Sequence, residues 1–192
     1  MSIYTRTGDS GFTSLASGKR VKKDNPRIDL CGEIDEFNSH LGYLNYLLSR
    51  EKTGHEVISN IRWIQSILFD IGAEVAGFDQ ASIDNNDIIH IEKSIDKIEG
   101  QLPKLTNFIL PGGCEAASHT HICRAVCRRV ERKIVKINVK REIIRKEILI
   151  FFNRLSDYLF VLARYLNLLN GKEDVKWEKQ DKNETLQKQG SV

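Results

Sequence analysis

Arg124, Arg128 and Arg132 recur at four-residue intervals in the segment H-I-C-R-A-V-C-R-R-V-E-R, residues 121–132. At about 100° per residue of α-helix, they share one arc with Ala117, His121 and Glu131. Cys123, Cys127, Val130, Ile134 and Ile137 form the neighbouring apolar arc. Like charges one turn apart repel, so the row suits a surface that meets anions. It also suits a solvated helix face that pairs with Glu131. Asn153 and Asp157, spaced i,i+4, lie on one face beside Phe152, Leu155 and Leu159. Asn and Asp are poor helix formers, so their central placement points to a required hydrogen bond or ligand. Asp35, Glu36 and Asn38 interrupt another Leu/Ile-rich stretch in the same way. Three such insertions suggest a wet, charged cleft between helices.

The second candidate is the N-terminal stretch Y-T-R-T-G-D-S-G-F-T-S-L, residues 4–15. Gly8 and Gly11 open the backbone N–H groups, Thr5, Thr7, Ser10, Thr13 and Ser14 add hydroxyls, and Lys22 and Lys23 follow. Such a loop can form an anion-binding nest. It lacks the G-x-x-x-x-G-K-[ST] pattern of a Walker A loop and no strand precedes it. Taken alone it also reads as an ordinary flexible terminus. Joined to an arginine-lined helix it points to polyphosphate. His119, His121, Cys123 and Cys127 lie close enough to raise a metal site, but both cysteines occupy apolar helix positions, where a thiol acts as a small hydrophobe. We assign no metal ligand.

The elements that position these residues follow from periodicity. Leu30, Ile34, Phe37, Leu41, Leu44 and Leu48 mark a first helix after Pro26, and Val57, Ile61, Ile64, Leu68, Ile71 and Val75 a second that Gly77 ends. Ile88, Ile91, Ile95, Ile98 and Leu102 mark a third, with Asp84 to Asn86 as capping candidates. N-F-I-L-P-G-G, residues 107–113, is a non-helical connector. A fourth helix is expected over about Glu115–Val139, and a fifth over about Ile143–Leu169 with Ile144, Ile148, Phe152, Leu155, Leu159, Leu162, Leu166 and Leu169 in register. The fold expected is all-α: an antiparallel five-helix bundle preceded by the N-terminal polyphosphate-binding loop, a nucleotide-binding loop on the resemblance given below. Residues 1–170 form its single domain, with the loop in 1–25, and the polar stretch 171–192 is expected to be a mobile tail.

Composition excludes other classes. Twenty-nine basic against 26 acidic residues leave a net charge of +3, too small to argue for nucleic acid. No apolar run is long enough to span a membrane, and the first residues carry no signal-peptide or transit-peptide pattern. The expected location is the cytoplasm, where Cys31, Cys114, Cys123 and Cys127 stay free thiols.

Five stretches together carry a resemblance: I-Y-T-R-T-G-D-S-G-F-T-S-L (3–15), K-D-N-P-R-I-D-L-C-G-E-I-D-E-F-N-S-H-L-G (23–42), F-I-L-P-G-G (108–113), H-I-C-R-A-V-C-R-R-V-E-R (121–132) and N-R-L-S-D-Y-L-F-V-L-A-R (153–164). In this order they resemble the PduO-type ATP:cob(I)alamin adenosyltransferases. The resemblance places an ATP loop on Thr5, Arg6, Thr7, Gly8, Thr13 and Ser14, with Lys23 beyond it, and further ATP contacts on Arg128, Glu131, Arg132 and Asn153. It pairs Asp35 of one subunit with Arg124 of the next in a homotrimer whose active sites lie at subunit interfaces. It puts Phe108 beneath the cobalt and Asp157 in the corrinoid site. Arg6 departs from the family's usual Lys, and Cys114 from its usual Thr or Ser.

The activity implied moves the 5′-deoxyadenosyl group of ATP, carried with Mg²⁺, onto the cobalt of cob(I)alamin and releases triphosphate. Cob(I)alamin is itself the nucleophile, so the protein must orient C5′ and stabilise the departing charge. Arg128, with Phe108, Asp35 and Arg124, carries the catalytic assignment. Phe108 would exclude the lower axial ligand of cob(II)alamin, easing its reduction by an external reductase. The alternative is an ATP-responsive carrier that hands adenosylcobalamin to a dependent client enzyme.

Overall fold

A computed structural model describes residues 3–51, 54–78, 82–139 and 144–179. Five helices make up its body: α1 (Pro26–Arg50), α2 (His55–Val75), α3 (Asn85–Glu99), α4 (Glu115–Asn138) and α5 (Lys146–Leu169). The apolar stripes read from the sequence face inward. Leu30, Phe37, Leu41, Leu44 and Leu48 of α1, Ile61, Ile64 and Ile71 of α2, and Phe152, Leu155, Leu159 and Leu162 of α5 are all fully buried. Leu169, expected in the α5 stripe, is exposed because the helix ends there and the chain turns away.

Helix directions can be read from the hydrogen bonds between them. Partners on α1 climb as those on α2 descend: Arg27 with Val75, Cys31 with Gly72, Asn38 with Gln65. The same opposition joins α1 to α4 through Lys133–Asp29, Arg129–Glu33 and His119–His40. It joins α4 to α5 through Glu131–Asn153, Cys127–Phe152 and Cys114–Asn167. By contrast α3 runs alongside α5 in the same direction, with Glu92 at Arg154 and Pro103 at Arg164. The bundle therefore alternates direction at each helix in turn, with α5 packed between α3 and α4.

Local chemistry sets the ends. Asn25 caps α1, its side chain accepting from the Arg27 N–H, with Pro26 in the first turn. Asp84 and Asp87 form a capping box on α3, which stops at Glu99 and leaves Leu102 beyond it. Cys114 caps α4, its Sγ accepting from the Ala117 N–H at 3.4 Å. A thiol thus stands in for the hydroxyl that usually fills this place. The fifth helix starts at Lys146, later than the expected Ile143, which lies outside the described residues. Arg145 before it is extended and bonded to Glu74.

Two segments differ from the sequence reading. Part of the N-terminal loop is a hairpin: β1 (Phe12–Ser14) pairs antiparallel with β2 (Arg20–Lys22), Thr13 opposite Val21. The strands are too short for alternation to register in the sequence. The start of the stretch expected to be a mobile tail is paired. Ile109 and Lys176 form an antiparallel bridge, with the Leu110 N–H on Val175 O at 2.8 Å and the Trp177 N–H on Phe108 O at 2.7 Å. Its polar composition reflects an exposed ribbon held by backbone bonds. Residues 180–192 lie outside the described residues. No described helix is long and apolar enough to cross a membrane.

Candidate active site

Five cations of α4 divide by whether they find a partner among the described residues. Arg129 and Lys133 are spent on α1: Arg129 bonds Glu33 at 2.6 Å and also Glu36, while Lys133 bridges Asp29 at 2.7 Å and Glu33 at 2.9 Å. Hydrogen bonds from Lys133, and then Arg129, hold the Glu33 carboxyl below its usual range despite partial burial. Arg124, Arg128 and Arg132 form no ion pair or hydrogen bond among the described residues. Arg124 is half-buried, with its Nε sealed from solvent and unpartnered. Burial, and then Arg128 one turn on, push its guanidinium down. Arg128 and Arg132 are exposed. Exposed Arg128 and Arg132 fit either reading of the row, whereas the sealed, unpartnered Nε of Arg124 does not suit a face that meets only solvent.

Asn153 is the polar anchor between α4 and α5. Its Nδ2 donates to Glu131 Oε1 at 3.1 Å, its Oδ1 accepts from Arg154 at 2.8 Å, and Arg154 reaches Glu92 at 2.8 Å. Glu131 therefore orients Asn153 and pairs with neither Arg128 nor Arg132, contrary to the sequence expectation that it pairs with the row. Asp157 lies one turn along α5, exposed. Desolvation raises its carboxyl, Arg154 lowers it, and Glu131 raises it further before Arg128 opposes. Of the polar residues singled out on α1, Glu36 meets Arg129, and Asn38 and Gln65 exchange side-chain to backbone bonds. Asp35 is exposed and unpaired among the described residues. The sequence showed no means of separating these three; only the packing of α1 against α2 and α4 does so.

The N-terminal segment forms a compact polar turn. Thr5 and Thr7 hydroxyls meet at 2.8 Å, Arg20 donates to Thr7 O at 2.8 Å, and the Gly11 N–H closes on Gly8 O at 3.2 Å. Lys23 Nζ lies over Gly8, where an added Cβ would sit 3.3 Å from it. Arg6 is the described non-glycine residue with positive φ, at 59°, and its guanidinium lies over the Tyr4 ring. A non-glycine residue in this region is uncommon and stores local strain. Thr13 sits half-buried in β1 and Ser14 exposed beside it. The hairpin is moored to the end of α2, Ala16 N–H to Ala76 O at 2.9 Å, at the end of the bundle where α1 begins.

Phe108 lies at the other end. Its ring is 83% exposed on the connector into α4. The connector returns through Gly113 at φ +121°, where a Cβ would come within 1.9 Å of Asn167 Oδ1. Asn167 in turn accepts from the Cys114 N–H and donates to Gly112 O, both at 3.0 Å. From this turn an open groove of about 490 Å³ runs along α4, lined by Pro111, Gly112, Ser118, His121, Arg124 and Arg132. His121, left open in the sequence reading, is 6% exposed there with an unpartnered Nδ1. Cys123 and Cys127 are core thiols; burial pushes Cys123 up to about 12. Because α1 and α4 are antiparallel, hairpin and Phe108 sit at opposite ends of one chain. The 24 residues of α4 between those ends span roughly 36 Å.

The comparisons with known proteins agree with one another. A family model described as cobalamin adenosyltransferase matches residues 3–166. A cobalamin adenosyltransferase of Cupriavidus metallidurans is 40% identical over 178 residues, covering 93% of this chain and 95% of the relative. The corrinoid adenosyltransferase MMAB of Bos taurus is 39% identical over 188 residues, covering 93% and 77%. Among solved structures, a phenylalanine-to-alanine variant of the PduO-type ATP:corrinoid adenosyltransferase from Lactobacillus reuteri, complexed with cobalamin and ATP, matches with a TM-score of 0.85. It is 35% identical and covers 93% of this chain and all of that one. The five segments, the helical fold and these matches converge: the chain belongs to the cobalamin adenosyltransferase family.

Proposed function

We propose that this protein is an ATP:cob(I)alamin adenosyltransferase acting at sites shared between neighbouring copies of a homotrimer. In the reaction the Co(I) electron pair forms the Co–C5′ bond, the C5′–O bond breaks, and its electrons leave with triphosphate. One observation carries this reading beyond family membership. Arg124, Arg128 and Arg132 keep their charges unspent while Arg129 and Lys133, interleaved with them, are neutralised by α1.

Arg128 and Arg132 meet the triphosphate, whose charge grows as C5′ departs, and the N-terminal segment with its hairpin supplies Thr5, Arg6, Thr7, Gly8, Thr13, Ser14 and Lys23 to the same phosphates. Mg²⁺ enters with ATP. Asn153, oriented by Glu131, contacts the nucleotide. Phe108 covers the lower face of the corrinoid, with Asp157 in the same site. Hairpin and Phe108 lie at opposite ends of one chain, which supports a site completed by a second copy. The unpaired Asp35 and Arg124 are suited to join those copies. An external reductase supplies Co(I), a client enzyme consumes the product, and the setting is the cytoplasm.

The test mixes purified protein, ATP, Mg²⁺ and chemically reduced cob(I)alamin, and follows Co(I) absorbance and free triphosphate. Repeated turnover with one triphosphate per adenosylated corrinoid is expected. Product held at one per site without turnover would favour the carrier, and unchanged Co(I) absorbance would overturn the transferase reading.

A further inference from the structure

We infer that Arg164 and Asp174 are positioning residues for Phe108, acting through a backbone ribbon that the segment after α5 lays against the connector. The inference rests on the role assigned to Phe108 above. The Phe108 ring is 83% exposed, so side-chain packing does not fix its place. Its backbone does. Phe108 O accepts from the Trp177 N–H, the Leu110 N–H donates to Val175 O, and Ile109 bridges Lys176. These bonds locate Phe108 only as well as the ribbon 175–177 is itself located. Val175, Lys176 and Trp177 are exposed and add nothing to the core.

Lys172 ties the start of this segment to Asn167 O and Gly113 O, and the anchor nearest the ribbon is the Arg164 guanidinium. Arg164 projects from α5, 5% exposed, with its Nε on Asp174 Oδ2 at 2.7 Å and its Nη2 on Pro103 O at 2.7 Å. It thus ties the entry of the connector to the entry of the ribbon. One turn further along, Asn167 fixes the connector's exit at Gly112 and Cys114. The stretch 103–114 is therefore pinned at both ends by α5 and near its middle by the ribbon. A buried ion pair contributes little net stability compared with apolar residues of similar size. Its directional bonds, however, define a position that a Leu at 164 could not. The reaction needs such definition, because a misplacement of about 1 Å costs on the order of a hundredfold in rate.

The test uses the full chain and three variants. Asp174→Ala removes the anchor. Trp177→Pro deletes the N–H that bonds Phe108 O, together with an indole outside the core, and fixes φ there. Asp174→Glu keeps the carboxylate. Hydrogen exchange at the Leu110 N–H, the amide of this stretch bonded to the ribbon, should quicken by about tenfold or more in the first two. Turnover from cob(II)alamin with a reductant should fall by a similar factor, about tenfold. Turnover from pre-formed cob(I)alamin, and KM for ATP, should stay within about twofold, and Asp174→Glu should recover most of the loss. Unchanged exchange at the Leu110 N–H would overturn the inference, as would faster exchange with cob(II)alamin turnover intact. Phe108→Ala run in parallel separates the two claims. If that variant shows no cob(II)-specific loss, the Phe108 assignment fails, while the exchange arm still decides whether Arg164 and Asp174 hold the segment.

Discussion

At the scale of single residues, chemistry divides side chains that look alike in the sequence. Phe108 is nearly bare, so its removal should leave the fold intact and act on one step. Phe108→Ala is expected to cripple turnover from cob(II)alamin yet spare the reaction when cob(I)alamin is supplied. Equal losses in the two assays would refute the assigned role. His121 is the opposite case. Burial, then Arg124, push its imidazole down to about 4, with Asp174 opposing. Unfolded, it titrates near 6.5. Between those values the unfolded state binds more protons, so stability rises with pH. His121's contribution is complete above about pH 6.5 and is lost as pH falls towards 4, worth on the order of 3 kcal/mol. Urea unfolding at about pH 5 and about pH 7 should show a shallower pH dependence in His121→Gln than in the parent. Identical dependence in both would remove His121 from that role.

At the scale of elements, the connector 107–113 shows why a glycine pair is not two equivalent glycines. Gly113 combines φ +121° with an Asn167 carboxamide where a Cβ would stand, whereas a Cβ on Gly112 meets nothing within 4 Å. Gly113→Ala should cost more than about 2 kcal/mol, from backbone strain and the loss of Asn167's bonds, while Gly112→Ala should change stability by less than ~1 kcal/mol. Denaturant midpoints of the two variants check this directly. The pair was legible as a non-helical break, but which glycine is indispensable was not, because Asn167 is distant in sequence and only α5 packing brings it there. The helices themselves were legible because the 4-3-4-3 spacing survives any tertiary context. The hairpin and the 175–177 ribbon were not, because both are defined by backbone pairing, which leaves no mark on side-chain pattern.

At the scale of the whole molecule, the alternating helices put the hairpin at one end and Phe108 at the other, while the arginine row spans the middle of α4 towards the hairpin end. On the proposed reading these three elements act on one pair of substrates, which requires a site completed by a second copy. Arg124→Ala should then weaken assembly and ATP binding together, since truncating one partner of an interfacial charge pair costs about 2–5 kcal/mol. Sedimentation and ATP titration of that variant decide the matter: normal trimer mass with normal ATP affinity would contradict the shared site.

Residue order alone determined the helical class, the apolar faces and the cations available on α4, because periodicity and charge are local properties of a chain. Which of these cations stay unpaired among the described residues was decided by tertiary structure. Charge neutralisation depends on the carboxylates of α1, roughly a hundred positions away in sequence, and only the antiparallel docking of α1 on α4 selects Arg129 and Lys133 while sparing Arg124, Arg128 and Arg132.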